Sequence, residues 1–245
     1  MGNAYEERLG TDRMLPLIFK MSLPAVAAQL VNLLYNIVDR IYIGHIPGIG
    51  TDALAGIGVT SAVIVLISSF SAIVGAGGSP LAAIALGQGN RERAGQILGN
   101  GFILLLIFTI LTSATTYLFM EPILLFTGAS ENTIGYATDY LSIYLLGTLF
   151  VELSVGLNTF INTQGRPTIA MYSVLIGAIL NIGLDPLFIF TFGMGVKGAA
   201  LATILSQACS AIWVISFLTS KKASLSMGHR TKRFFQWSGK MGERF

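Results

Sequence analysis

The sequence predicts an all-α membrane protein, a polytopic bundle of six transmembrane helices, and three observations carry that prediction. Of 245 residues, 53% are hydrophobic and only 11% charged, whereas an ordinary soluble domain is roughly 25% charged. Apolar stretches recur along the whole chain, several of them longer than the roughly 18 to 20 residues a helix needs to cross the hydrocarbon core of a bilayer. The 28 glycines fall inside those stretches as well as between them, where they let membrane helices approach closely.

Each element follows from local punctuation. Residues 1–14 open with "MGNAYEERLGTDRM", a polar, partly acidic segment with no small-residue cleavage site behind a short apolar core. The first apolar run is therefore expected to stay in the mature protein. Residues 15–220 form the six-helix unit. Span one, 15–40, contains Pro24, which removes a backbone hydrogen bond and favours a kink. Span two, 54–80, ends in "VGAGGSP" (Val74–Pro80). That stretch is neither GxxxxGK[ST] nor GxGxxG and follows no strand, so close packing or a helix break is the reading, not a phosphate loop. Span three, 97–120, is free of charge, and span four, 135–160, contains Glu152. Span five, 168–191, starts behind Pro167, where proline suits a helix N-terminus. Span six, 197–219, holds the single cysteine, Cys209, which is expected to pack in the bundle and leaves neither a disulfide nor a cysteine metal site available.

Charge orients these spans. Three basic residues precede or open span one (Arg8, Arg13, Lys20), two lie in "GQGNRERAGQ", one in "NTQGRP" and seven after Ser220. The opposite side has only Arg40 and Lys197. An excess of Lys and Arg marks cytoplasmic loops, so both termini are expected in the cytoplasm and the chain in the cell membrane. The tail 221–245 sets the pI of about 9.1. Its basic residues, interleaved with Phe234, Phe235 and Trp237, either lie on anionic membrane lipid, at about 1 kcal/mol per basic residue, or form a solvated end. One short tail on a membrane protein is a poor nucleic-acid binder.

Ionisable side chains inside spans are costly and point to function. The candidates are Asp39, Asp185, Glu152 and Asp139. Asp39 lies 23 residues beyond Pro16 and Asp185 18 beyond Pro167. At about 1.5 Å per residue, both fall in the outer half of the membrane and can face one cavity. In "LLYNIVDRIYIGH", Tyr35 and Asp39 are one turn apart with Asn32 and Asn36 nearby; in "NIGLD", Asn181 and Asp185 repeat that spacing. Thr203 of span six reaches comparable depth. Carboxylates, an amide carbonyl and a hydroxyl suit a hard cation and also a proton. Against this stands a plainer reading, in which Asp39 pairs with Arg40 at the interface and Asp185 merely ends a helix before Pro186. Glu152 either lines the same cavity or pairs elsewhere. His45 and His229 are isolated, and no Ser/His/Asp or HExxH arrangement occurs, so neither an enzyme nor a cofactor is expected.

These residues sit in stretches that resemble the multidrug and toxic compound extrusion (MATE) family of cation-coupled antiporters. The resemblance covers residues 14–220 and rests on "SLPAVAAQLVNLLYNIVDRIYIGHI", "DALAGIGVTSAV", "GQGNRERAGQILGNG", "NTFINTQGRP", "LIGAILNIGLDPLFIF" and "GMGVKGAALATILSQ" together. It implies an N-terminal lobe whose cavity binds Na⁺ or H⁺. Asp39 and Asp185 match the essential carboxylates, Asn181 and Thr203 match further ion ligands, and Tyr35 matches a hydrogen-bonding neighbour. Pro24 matches the proline at which the first helix bends, and Tyr140 and Asn158 match polar cavity positions, although the span boundaries put Asn158 nearer the cytoplasm than Asp39.

The family has about twelve spans in two lobes, and this chain ends after one. The resemblance thus implies export of organic, cationic and amphipathic compounds by alternating access, through an N-lobe that pairs with a second six-helix lobe or with its own copy. Two other readings stand beside it. One is a truncated, non-transporting membrane fragment that needs a partner lobe. The other is a lipid-linked oligosaccharide flippase, whose cavity would need Arg or Lys for a pyrophosphate, and the span interiors hold almost none.

Overall fold

The computed structural model describes residues 14–220 together with 223 and 225. The expectations for residues 1–13 and for the basic tail, His229, Phe234, Phe235 and Trp237 included, lie outside the described residues.

Six helices are long and apolar enough to cross a membrane. They are α1 (Met14–Gly44), α2 (Gly50–Gly87), α3 (Arg91–Leu118), α5 (Ile134–Thr163), α6 (Pro167–Pro186) and α7 (Val196–Thr219). A short α4 (Met120–Phe126) links α3 to α5, and α6 runs on as a π-helical stretch, Leu187–Thr191. The spans predicted from hydropathy are all present, but their ends move. At 38 residues, α2 is about 57 Å long, nearly twice the hydrocarbon thickness. It begins four residues before the predicted 54 and runs through Pro80 to Gly87.

Tight turns on one end of the bundle fix the antiparallel order. Gly89 and Gly165 take positive φ (73° and 74°) between α2 and α3 and between α5 and α6, a conformation that side chains disfavour. Asn90 then caps α3, its side chain accepting from the Arg93 amide at 3.0 Å. Leu225 seats on the same end, its backbone N–H donating to Gln164 Oε1 at 3.1 Å.

The central helix is α5. Two-thirds (67%) of its apolar window is buried, against 33% for α2, α3 and α7. Small residues make this close packing possible. A Cβ on Gly147 would come 2.3 Å from Ile204 of α7, one on Gly156 2.8 Å from Leu105 of α3, and one on Gly75 3.1 Å from Thr159. The "VGAGGSP" stretch is thus a packing surface within an unbroken helix rather than a break. Phe160, Leu157, Leu98, Leu105 and Val214 fill the core around α5. Outward-facing Leu23, Leu30, Leu34, Ile37 and Ile41 of α1 are exposed, as expected of side chains that meet lipid. Cys209 is also exposed, so it does not pack inside this bundle as its apolar run suggested.

Candidate cation-binding site

Three helices build the site. The register of α1 brings Tyr35 and Asp39 to one face, α6 brings Asn181 and Asp185, and α7 brings Thr203 and Gln207. Asp185 is fully buried and Asn181 nearly so (0% and 2% exposed). Asn181 Nδ2 donates to Asp185 Oδ1 at 3.2 Å and approaches Thr203 Oγ1 at 3.5 Å. The Thr203 hydroxyl donates back to Ala199 O at 3.0 Å, so its lone pairs point to the site. From α1, the Asp39 carboxyl faces that of Asp185 within interaction range. Tyr35 adjoins Asn36 and Gln207, and the Tyr140 hydroxyl adjoins Thr203. Tyr140 stacks on Tyr144 with ring centroids 6.0 Å apart.

Three oxygens in this cluster are buried and have no hydrogen-bond donor: Asp39 Oδ1, Asp185 Oδ2 and Asn181 Oδ1. Buried acceptors without donors are rare and expensive. Two ionised carboxylates that face each other out of water repel, and a small cation or a proton between them removes the repulsion. The donor set, all oxygen and mostly anionic, fits a hard cation and offers nothing to a soft metal.

The site opens on a cavity of about 510 Å³. Tyr35, Asp39, Arg40, Tyr140 and Thr203 line it, while Asn181 and Asp185 stand behind that wall. Arg40 adds a positive charge beside Asp39 on the cavity wall. Towards the α5–α6 turn the cavity is rich in amides, with Gln29, Asn32, Asn158 and Asn162 shared with a smaller hollow of about 110 Å³. Asn158 thus shares the cavity but not the ion cluster: its Nδ2 donates to Ala170 O at 3.2 Å and its Oδ1 is unpartnered. Pro24 lies within α1, away from the carboxyl pair.

Two acidic candidates belong elsewhere. Asp139 is not in the bundle interior; it is half exposed and forms an ion pair with Lys197 at 3.3 Å. Glu152 turns from α5 towards α2, where Ser68 and Ser71 hold it. Gln207, Gln29 and Ser154, which hydropathy reading passed over, line the cavity. The Thr203–Gln207–Ser210 spacing on one face of α7 was the available signal.

A family model, MatE, matches residues 24–187, two-thirds of the chain. The chain belongs to the MatE family. Its relatives include the "Multidrug export protein MepA" of Staphylococcus haemolyticus, 28% identical over 90% of this chain and 49% of that protein. The "FAD transporter" of Shewanella oneidensis is 34% identical over 77% of this chain and 42% of that protein. Among solved structures, a MATE protein crystallised "in the bent conformation" superposes with a TM-score of 0.80 at 29% identity, covering 87% of this chain and 47% of that one. This MatE chain therefore spans about half the length of the relatives it matches, and the matched half is one six-helix bundle.

Proposed function

We propose that the chain is one lobe of a cation-coupled antiporter that exports organic, cationic and amphipathic compounds by alternating access. It is inserted in the cell membrane with both termini in the cytoplasm. The observation that carries this reading is the cluster of three donorless buried oxygens on Asp39, Asn181 and Asp185, with Thr203 beside them, behind a cavity large enough for an organic molecule. Na⁺ or H⁺ entering the cluster neutralises it, and the state that binds the cation better is then favoured in proportion to the difference in affinity. Multidrug export by the MepA relatives supports the substrate class. The carboxylates favour positive charge over the anionic cargo that a flippase cavity would hold. The cavity is walled here by one lobe, so a second six-helix lobe or a twofold copy completes it.

The test is flux. The purified chain, alone and together with the second lobe of a relative, is reconstituted in liposomes carrying a Na⁺ or H⁺ gradient, and ethidium release is followed. Gradient-driven release that vanishes in Asp39→Asn and Asp185→Asn is expected. Release at the wild-type rate from either variant would refute the assignment of the carboxyl pair. Release only when a second lobe is present would eliminate the twofold dimer.

A further inference from the structure

Glu152 lies outside the cation cluster, yet it is a carboxyl group in the middle of the central membrane helix and only 2% exposed. Its surroundings are specific. Ser68 Oγ of α2 donates to Oε1 at 3.1 Å, Ser71 Oγ is hydrogen-bonded to Oε2, and Ser71 Oγ also reaches the backbone carbonyl of Glu152 at 3.3 Å. On its own helix, Tyr144 faces it electrostatically. The charged residues of α3 sit in its first turn (Arg91, Glu92, Arg93). Of the ionisable side chains of α6 and α7, Asp185 is buried in the cation cluster, whereas Tyr172, Lys197 and Cys209 are exposed. Among the described residues, the interactions of the Glu152 carboxyl run to Ser68, Ser71 and Tyr144 and to no cation.

Burial without a counter-ion assigns its state. The Ser68 and Ser71 hydroxyls donate to the carboxyl but carry no charge. A carboxylate here leaves a negative charge buried without a counter-ion, the arrangement that membrane interiors penalise most, and the neutral acid avoids it. A route for the proton is also present: Ser68 both bonds Glu152 and lines the main cavity, so one hydroxyl separates the carboxyl from cavity water.

We propose that Glu152 is a second proton-binding site of this lobe, independent of the Asp39–Asp185 pair, loaded and unloaded from the cavity through Ser68 and latching α5 to α2 while it is loaded. On unloading, the carboxyl O–H bond breaks, its electron pair stays on the carboxylate, and the proton passes by way of the Ser68 hydroxyl to cavity water.

The experiment uses the full chain in lipid nanodiscs with glutamate side-chain carboxyls labelled with ¹³C. The infrared carbonyl band of a protonated carboxylic acid is then read at neutral pH. The label excludes Asp39 and Asp185 from the readout, so failure of the cation-site reading leaves this test intact. Glu152→Gln keeps the remaining glutamates, Glu6, Glu7, Glu92, Glu121, Glu131 and Glu243, so a band that arises from any of them persists in that variant. A label-shifted band is expected that moves in D₂O, is lost in Glu152→Gln and exchanges more slowly in Ser68→Ala. Three results would overturn the proposal: no label-shifted band in the wild-type chain, a band that persists in Glu152→Gln, or a band unaffected by prolonged D₂O. If Glu152→Gln does not fold, slower exchange of the band in Ser68→Ala assigns it to Glu152, the glutamate that Ser68 bonds, and an unchanged exchange rate overturns the proposal.

Discussion

Asp185→Asn separates the electrostatic role of this residue from its packing role, because the amide keeps the volume of the acid and removes the charge, exchanging one acceptor oxygen for an NH₂ donor. In the proposed cation-bound state a carboxylate charge about 4 Å from the ion, at an effective dielectric of about 20, would contribute about 4 kcal/mol. Stripping water from the ion costs the same in both chains and cancels in the comparison. The new amide oxygen recovers part of the loss, so cation affinity should fall by about 2–4 kcal/mol, roughly 30- to 700-fold. Stability in the absence of the cation moves the other way, because the substitution removes the repulsion between Asp185 and Asp39. The assay is thermal unfolding of the detergent-solubilised chain against Na⁺ at fixed pH and, separately, against acidification. At a cation concentration 100 times its Kd, the wild-type chain gains about 2.7 kcal/mol; Asp185→Asn at the same concentration gains less than about 1 kcal/mol. Cation-dependent stabilisation equal to that of the wild-type chain would refute the assignment of Asp185 as an ion ligand. So would a variant that unfolds earlier without cation, since it would show that the carboxylate was held by something other than an exchangeable ion.

Other substitutions test the scaffold and the edges of the site. Gly147→Ala forces a Cβ to within 2.3 Å of Ile204, and the loss should be about 1–3 kcal/mol in chemical denaturation, with weaker cation binding because Ile204 adjoins Thr203. Thr203→Val removes one neutral ligand and keeps the shape, so Na⁺-dependent stabilisation should weaken by about tenfold in apparent Kd, an order of magnitude for one hydrogen-bond-strength contact. Lys197→Ala breaks the half-exposed pair with Asp139 and should cost less than about 1 kcal/mol in unfolding, with the cation response unchanged; a large loss of that response would place the pair inside the coupling machinery.

The fold was legible because lipid imposes it: six uninterrupted apolar runs can only be helices, and the basic residues bracket them. The ends were not. Hydropathy falls off where a helix leaves the hydrocarbon, and Pro80 reads as a stop, yet α2 passes through it to Gly87. Proline removes one hydrogen bond, and a long packed helix tolerates that loss. The link Met120–Phe126 went unseen because "MEPILLF" is too short to show a period. Within the site, the one-turn spacing of Asn181 and Asp185 showed which groups share a face, and the structure gives them a 3.2 Å hydrogen bond. Spacing within one helix does not show which neighbour that face meets. That is why Glu152 was left between the cavity and an unknown partner, and why Asp139 counted as interior when it sits beside Lys197. Gln207 and Gln29 were overlooked because an uncharged amide barely lowers the mean of a hydropathy window, although a cavity uses it as readily as a charge.

The division of the site between helices bears on how occupancy would move the lobe. The half on α6 and α7 is tied internally, Asn181 to Asp185 and to Thr203. The other half is Asp39, carried by α1, whose apolar window has no buried residue. Its C-terminal end is held to the π-helical stretch after α6 by such contacts as the edge-on pairing of Tyr42 with Phe190, centroids 6.3 Å apart. In the proposed antiporter, repulsion between the two carboxylates would therefore push on the least anchored helix, and neutralisation would release it. An electrostatic difference of about 4 kcal/mol would shift a two-state equilibrium by roughly 10²- to 10³-fold, which suffices to exchange a minor arrangement of α1 for the major one. The same carboxylates on two adjoining turns of one rigid helix would bind a cation equally well and move nothing.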